Sequence, residues 1–255
     1  MRGNKKSYFL LFFYVGLALI SYQYVENSIF TQHIVTAKYQ MVDNLENGKT
    51  IPFEEVKSAT VSDVFTAKSE ELEAIGVLSI PQLALAVPVF PGISQNAMLI
   101  GAATMYPRRD PLKDNMIFLG HHLSEKGLLF GKLANAKKGQ KIDLDYLGKS
   151  YHYVITEKKI IDEQEVNYIE ENPAKTLTLL TCDKASETTK RILVKAKIVE
   201  MSQKSTANKQ FSSKNSIEKI QQVSKKIIRK VYLQLFFFGL IAIVGTSVIL
   251  FSNKI

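Results

Sequence analysis

The chain has 255 residues, of which 46% are hydrophobic and 22% charged, so it can form one sizeable domain with additional segments. Its formal net charge of +9 arises at the ends, since residues 204–230 carry eight cations against one anion and three more cations precede residue 8. A nearly neutral centre between basic flanks argues against a nucleic-acid partner and indicates anionic lipid or wall polymer. A solvated linker whose lysines serve solubility is an equal alternative.

Both ends carry apolar runs that are long enough to cross a membrane. Residues 8–25 and 231–251 contain no charged side chain, and each approaches the roughly 20 residues that a spanning helix needs. The first run follows three cations, and no small-x-small cleavage site precedes Glu26, which favours an uncleaved signal anchor over a cleaved signal peptide. The N-terminus is therefore predicted to lie inside the cell, with residues 26–230 outside.

The basic flank of the second run opposes this topology. Lys225, Lys226, Arg229 and Lys230 lie on its predicted external side, whereas only Lys254 lies beyond it. Charge counting over short flanks prefers the reverse orientation. Because the first span usually dominates orientation, the prediction keeps the N-terminus inside.

Between the two runs, the composition separates a polar stalk, a folded domain and a basic linker. Residues 53–68 could form a short amphipathic helix or an arm that packs on the domain. After residue 200 the chain turns to Ser, Lys, Asn and Gln, which is typical of a linker. The predicted organisation is a cytoplasmic basic tail (1–7), a signal anchor (8–25), a stalk (26–52), a folded domain (53–201), a basic linker (202–230), a second transmembrane helix (231–251) and a tail (252–255).

The folded domain is rich in short apolar segments that are separated by turn residues. Such segments, rich in Val, Ile, Leu and Tyr, predict strands. Numerous short strands without long helices between them favour a closed antiparallel or mixed β-barrel. The predicted strands are 76–80, 83–90, 116–119, 142–146, 151–161, 176–181 and 191–199, and single helical turns are expected at 96–103 and 128–132.

The only cysteine, Cys182, stands at the end of the apolar strand 176–181. The loop that follows is too short for a crossover helix, so this strand should pair antiparallel with 191–199 and bring Arg191 near the thiol. A neighbouring cation is a setting that lowers a thiol pKa. In an exported protein an unpaired thiol is either inert in the core or kept for chemistry.

Two adjacent histidines, His121 and His122, follow the predicted strand 116–119 and Gly120. A histidine at a strand end is usually structural, but a cysteine nucleophile needs a histidine as general acid and base. His152 lies inside a predicted strand and suits packing. One cysteine beside a histidine pair does not supply a recognisable zinc site, so no metal site is predicted. The sequence also contains no phosphate-binding loop, dinucleotide fingerprint or HExxH motif.

Three separated segments together resemble the sortases, which are cysteine transpeptidases of Gram-positive cell surfaces. Leu119-Gly120-His121 resembles the family's His motif, Thr178-Leu179-Leu180-Thr181-Cys182 its TLxTC motif, and Arg191-Ile192-Leu193-Val194 the segment with its catalytic Arg. The segment Ile100-Gly101-Ala102-Ala103-Thr104 is also similar. The resemblance covers about residues 53–201 and implies a mainly β fold, with a closed sortase-type barrel of about eight strands, short helices and terminal transmembrane helices.

The resemblance implies a role for each motif residue. Cys182 would be the nucleophile that attacks the Thr–Gly bond of an LPxTG sorting signal and forms a thioester. His121 would be the general acid and base, and Arg191 would bind the substrate and stabilise the oxyanion. Thr181 would line the substrate groove, and His122 would either assist at the substrate or simply pack.

The loop before the cysteine strand is expected to recognise the sorting signal. Val166 and Ile169 would contact its Leu and Pro. The amine of a cell-wall precursor, lipid II, or of a wall cross-bridge would then resolve the thioester. Expected partners are therefore LPxTG-bearing surface proteins, this amine and membrane lipid, without nucleic acid. The implied location is the plasma membrane of a Gram-positive bacterium, with the domain outside.

Within the family, the short loop between Cys182 and Arg191 is similar to the class A housekeeping type. The second membrane span instead resembles the pilin-polymerising class C enzymes, so a pilin role stays open. A non-catalytic, membrane-tethered domain that binds wall polymer is a further alternative. No cofactor is expected to be required. Calcium, which activates some class A members, stays possible but unassigned, with Asp110, Asp114, Asp162, Glu163 and Glu165 as available acids.

Overall fold

Short strands fill the middle of the chain, between two long terminal helices. The computed structural model describes residues 3–46, 50–67, 72–123, 128–165, 175–202 and 209–251. In chain order the described elements are α1 (Gly3–Thr36), β1 (Tyr39–Met41), α2 (Val61–Thr66), β2 (Leu72–Ala74), β3 (Gly76–Ile80), a 3-10 helix (Pro81–Leu83), β4 (Leu85–Pro91), α3 (Gln95–Met98), β5 (Ala102–Thr104), β6 (Asn115–Gly120), β7 (His122–Leu123), β8 (Leu128–Leu129), a second 3-10 helix (Phe130–Asn135), β9 (Lys141–Tyr146), β10 (Lys149–Asp162), β11 (Thr176–Cys182), β12 (Lys190–Ser202) and α4 (Lys209–Phe251).

Eight of these strands form a closed barrel, in the order β10, β12, β11, β6, β5, β4, β3 and β9. Most neighbours pair antiparallel, whereas β4 with β5 and β6 with β11 pair parallel. Alternate residues of β9, namely Ile142, Leu144 and Tyr146, are buried in the barrel interior, as the two-residue period of a strand requires. The prediction of a mainly β, closed barrel with short helices and apolar terminal helices is confirmed.

The register of the parallel pair β6 and β11 determines where the ends of these two strands emerge, and it aligns Leu119 with Leu180. At the other end of the pair, the buried Asn115 Oδ1 accepts hydrogen bonds from Thr176 Oγ1 at 2.9 Å and Thr178 Oγ1 at 3.1 Å. Because unpaired polar groups are costly in a barrel interior, these bonds favour this register over a shifted one.

A tight hairpin joins β9 to β10. Its two turn residues, Leu147 and Gly148, both have positive φ, 47° and 73°, which suits a type I′ turn whose twist matches that of the strands. Glycine adopts this conformation freely, whereas a leucine does so at some cost. From the hairpin, β10 runs along β12 until Asp162 lies opposite Lys190. The chain after β10 therefore starts beside the first residues of β12.

The terminal helices α1 and α4 pack against each other in opposite directions. Tyr14 Oη lies 2.7 Å from Thr246 Oγ1, and the rings of Tyr24 and Phe238 are 4.9 Å apart between centroids. The segments Lys6–Thr36 and Ile220–Phe251 are long and apolar enough to cross a membrane, and the barrel does not bury their most apolar windows. This agrees with a membrane-anchored protein.

The helices extend beyond the predicted spans. Helix α1 continues through residues 26–36 of the predicted stalk, and α4 includes residues 209–230 of the predicted linker. Phe30, on α1, belongs to the main hydrophobic core cluster. The domain boundaries themselves stay predictions, but this part of the stalk packs on the barrel.

The two predicted helical turns have different bounds in the structure. Helix α3 ends at Met98, and residues 102–104 form β5 instead, because they pair with β4 on one side and β6 on the other. Residues 128–129 form the short strand β8, opposite β7, and a 3-10 helix follows. Tertiary pairing overrides local preference at both places.

Candidate active site

Three neighbouring strands bring Cys182, His121 and Arg191 together at one edge of the barrel. Cys182 ends β11, and His121 follows β6, each two residues beyond the aligned pair Leu119 and Leu180. Arg191 lies directly opposite Cys182 on β12, and facing residues of an antiparallel pair have Cβ atoms about 4.5–5.5 Å apart. The predicted constellation is therefore assembled by strand pairing alone.

All three side chains line a cleft of about 980 Å³. Its apolar lining includes Met98, Leu119 and Leu180, and polar groups come mainly from the loop between β11 and β12. The complete lining is Val56, Lys57, Ser58, Ala59, Thr60, Met98, Leu119, Gly120, His121, Leu180, Thr181, Cys182, Ala185, Ser186, Glu187, Thr188, Thr189 and Arg191.

The Cys182 thiol is half-buried, and its electrostatics differ from the expectation. Burial raises the pKa of the Cys182 thiol, Arg191 lowers it, and the carboxylates of Asp183 and Glu163 raise it further. The neighbouring cation is present, as predicted, but desolvation of the thiolate outweighs it. The resting site therefore favours the protonated thiol.

His121 is only 5% exposed. Gly120, the residue before it, lets the Phe130 ring pack over the end of β6. A Cβ on Gly120 would lie 2.6 Å from that ring. Burial lowers the pKa of His121 to about 4, although the Asp63 carboxylate raises it. His121 Nε2 is buried without a hydrogen-bond partner among the described residues. At neutral pH the imidazole is uncharged, so it can accept a proton.

The Arg191 guanidinium is held by the loop that precedes β12 and by the turn that follows β10. Its Nη1 donates to the carbonyl oxygens of Thr188 at 2.6 Å and Lys190 at 3.1 Å. Its Nη2 donates to Glu163 Oε2 at 2.5 Å. These contacts fix a permanent positive charge at the mouth of the cleft, since arginine stays protonated at any ordinary pH.

The other predicted site residues lie in different places. Thr181 lines the cleft and is buried, and its Oγ1 has no hydrogen-bond partner in the described chain. His122 does not line the cleft: its Nδ1–H donates to the backbone carbonyl of Cys182 at 3.0 Å, and its ring packs on Gly131. Val166 and Ile169 lie outside the described residues.

Residues 56–60 form one wall of the cleft, a contribution that the sequence did not assign to the site. This arm leads into α2, where Thr60 and Asp63 form a reciprocal N-terminal cap. The cap holds the Asp63 carboxylate where it acts on the His121 pKa. The amphipathic pattern of residues 53–68 predicted an arm that packs on the domain, but nothing in it indicated which face the arm would cover.

The acids that were considered for calcium are engaged in other contacts. Glu163 binds Arg191, Glu165 accepts from the backbone N–H of Asp162, and Asp114 accepts from the backbone N–H of Asp110. In the described ranges no three metal-ligating side chains converge. No residue set therefore emerges as a calcium site, and the expectation that no cofactor is required stays a prediction.

Burial of His121 predicts an acid-dependent loss of stability. Its pKa is about 4 in the folded protein and 6.5 in the unfolded chain, so the unfolded state binds the extra proton in this window. The favourable contribution is complete above pH 6.5 and is lost as the pH falls towards 4, by about 3 kcal/mol at most. Chemical denaturation of the detergent-solubilised chain should show that the free energy of unfolding falls less with decreasing pH in His121→Gln than in the parent.

The matched control for that variant is His152→Gln, because His152 is a half-exposed histidine on the same barrel. It should keep the acid-dependent loss that His121 causes. If the free energy of unfolding fell equally with pH in the parent chain and in His121→Gln, the loss could not be assigned to His121.

Comparison with known proteins adds independent information. The family model described as Sortase domain matches residues 78–199. Sortase A of Listeria monocytogenes serovar 1/2a (strain ATCC BAA-679 / EGD-e) is 33% identical over 220 residues, which cover 82% of this chain and 99% of that protein. Sortase A of Streptococcus agalactiae serotype III (strain NEM316) is 31% identical over 230 residues, which cover 80% and 90%, respectively.

Among solved structures, that of Listeria monocytogenes sortase A matches with 36% identity and a TM-score of 0.48, covering 53% of this chain and 95% of that chain. The family assignment rests on the sequence relatives, which align along nearly their full length. The chain belongs to the sortase family of cysteine transpeptidases.

Proposed function

We propose that this sortase cleaves the Thr–Gly bond of LPxTG-type sorting signals and transfers the surface protein to the amine of a cell-wall precursor, lipid II. Cell-wall sorting signals are the substrates of the family in general, and the LPxTG sequence and the lipid II acceptor are our proposal. The observation that supports it most is the convergence of Cys182, His121 and Arg191 in one cleft.

In the first half-reaction Cys182 Sγ attacks the carbonyl carbon of the signal's Thr. His121, which is uncharged at neutral pH and has an unpartnered Nε2, accepts the thiol proton, and the C–S bond forms as the carbonyl becomes an oxyanion. The tetrahedral intermediate then expels the Gly nitrogen, to which His121 returns the proton. The product is a Thr thioester on Cys182 and a free peptide amine.

In the second half-reaction the acceptor amine attacks the thioester. His121 now takes the amine proton, a new amide bond forms, and the thiolate leaves and recovers its proton. An anchored wall precursor lies at the membrane face, where the proposed topology places the cleft. A pilin lysine would enter the same step in a pilin-polymerising enzyme, and mass spectrometry of products formed with both amines distinguishes the two acceptors.

Arg191 stabilises the oxyanion in both steps. A guanidinium presents planar N–H donors to a developing negative charge, and the partly buried site strengthens that interaction. Thr181 and the apolar residues Met98, Leu119 and Leu180 line a cleft whose volume suits several residues of an extended peptide. We propose that Val166 and Ile169 contact the Leu and Pro of the signal.

The proposed chemistry needs no cofactor, because a thiol, an imidazole and a guanidinium supply every proton and charge that it requires. We further propose that α1 keeps its N-terminus in the cytoplasm of a Gram-positive cell and that the barrel lies outside. The two packed apolar helices support membrane anchoring.

Variants of the nucleophile and the base test the proposed reaction. In the detergent-solubilised full chain, Cys182→Ala and His121→Ala should each lower LPxTG peptide cleavage at least about a thousand-fold. Mass spectrometry should detect the thioester in the parent only. His152→Ala is the matched control and should keep near-parent turnover. Retained cleavage in either site variant would refute the mechanism, and a parent chain that cleaves no LPxTG peptide would refute the proposed substrate.

The arginine is tested by a substitution that keeps its charge. Arg191→Lys should lower kcat for peptide cleavage about a hundred-fold, because an ammonium cannot reproduce the planar donor fork. Arg108→Lys, at an exposed arginine that does not line the cleft, provides the matched control and should be near normal. Near-normal turnover of Arg191→Lys would contradict the oxyanion role.

Protease treatment of wall-stripped, intact cells tests the topology. We expect the barrel to be digested while a cytoplasmic marker protein survives, because residues between the spans are placed outside. Digestion only after lysis would show the opposite orientation, the one that the basic flank at residues 225–230 favours.

A further inference from the structure

The turn that follows β10 is fastened to the loop that precedes β12. The backbone N–H of Glu163 donates to the carbonyl oxygen of Thr189 at 2.8 Å, and Asp162 Oδ2 lies 3.7 Å from Lys190 Nζ. The turn itself is closed by the backbone N–H of Asp162, which donates to Glu165 Oε2 at 2.8 Å. Glu163 therefore starts from a fixed backbone position rather than from a free loop.

From this position the Glu163 carboxylate reaches the guanidinium of Arg191. The Nη2–Oε2 distance is 2.5 Å, and Nη1 is held by the Thr188 and Lys190 carbonyl oxygens. Within the described part of the chain, these hydrogen bonds engage three of the five N–H donors of a guanidinium. The guanidinium is thus hydrogen-bonded through both Nη atoms, which fixes its plane. N–H donors remain for a substrate oxygen.

We propose that Glu163 is the positioning residue of Arg191: its carboxylate holds the guanidinium in the orientation in which the remaining N–H groups meet the oxyanion above Cys182. The proposal rests on the proposed function, and it adds a residue that none of the sequence motifs contains. Glu163 acts through Arg191 and does not touch the reacting atoms.

The simplest alternative is an ordinary surface ion pair. Exposed pairs contribute only about 0–1 kcal/mol to stability, and the Glu163 side chain is 43% exposed. Arg191 differs, since its side chain is only 23% exposed and has two backbone acceptors besides the carboxylate. Orientation, and not stability, is therefore the expected consequence of this contact.

Glu163 also acts on the thiol, in the direction opposite to Arg191. Its negative charge raises the pKa of Cys182, whereas the positive charge of Arg191 lowers it. Removing the charge of Glu163 should thus make the thiol easier to ionise and, at the same time, leave the guanidinium less well oriented. A general loss of structure would also relieve the burial of the thiol and slow turnover, but it would do so equally in a chain that lacks Arg191.

The test uses the full chain in detergent and the variant Glu163→Gln, which keeps the size and one acceptor oxygen but removes the charge. We expect kcat for cleavage of an LPxTG peptide to fall about ten-fold with little change in KM, because the oxyanion forms only in the transition state. Alkylation of Cys182 by iodoacetamide should shift to lower pH. Glu157→Gln, which removes the same charge from β10 at a carboxylate that pairs with Lys159 and does not line the cleft, should change neither.

A double-mutant cycle decides whether Glu163 acts through the arginine. In single-turnover acylation followed by mass spectrometry, Glu163→Gln should have almost no further effect in an Arg191→Lys chain, because coupled residues are not additive. A full ten-fold effect in that background would overturn the proposal, and so would an unchanged kcat for Glu163→Gln in the Arg191 chain.

A failure of the Glu163 proposal can be distinguished from a failure of the proposed function. A parent chain that cleaves no LPxTG peptide refutes the proposed substrate, whichever residue stands at position 163. Alkylation needs no substrate, so it still tests the arrangement in that case. An alkylation profile that is the same in the parent and in Glu163→Gln would overturn the role of Glu163 at this site.

Discussion

The register of the parallel pair β6 and β11 is the constraint on which the site depends. Because successive side chains on a strand point to opposite faces, a shift by one residue would move His121 or Cys182 to the wrong side of the sheet. Asn115 bonds two threonine hydroxyls of the neighbouring strand in the buried half of this pair. A buried polar contact at the far end of the strand pair thus supports the geometry of the site at the near end, and closure of the barrel leaves the strands no free edge along which to slip.

The same burial that positions the catalytic groups also controls their charge. The thiol pKa is raised and the imidazole pKa lowered, so the resting pair of Cys182 and His121 is neutral. A neutral pair has to transfer a proton during attack. A fixed positive charge then stabilises the negative charge that develops on the substrate carbonyl oxygen. In the proposed mechanism Arg191 supplies that positive charge, and the Glu163 carboxylate partly offsets it in the resting site while holding the orientation of the guanidinium.

Much of this arrangement could be predicted from the sequence, because strand periodicity and chemistry coincide in short segments. Cys182 and Arg191 flank one short loop, so antiparallel pairing was the simple expectation and the structure confirms it. The three-residue strand β5 is too short to show a period and forms only through its neighbours. Glu163 is 28 residues from its partner in sequence and lies in a polar turn, where a carboxylate resembles any solvated acid. Its role becomes visible only when β10 and β12 are paired.

The terminal helices not only anchor the barrel but also pack against it. Phe30, near the end of α1, is buried in the main core cluster, and Val231 of α4 is also buried. Lys132 on the barrel is close enough to Lys226 of α4 that this charge, together with the larger effect of burial, lowers the pKa of Lys132 to about 8. A polar stalk would let the cleft take many heights and directions over the membrane. Helices that continue from the apolar spans into the packed core restrict those directions, so the fold already limits the position of the cleft relative to the two spans.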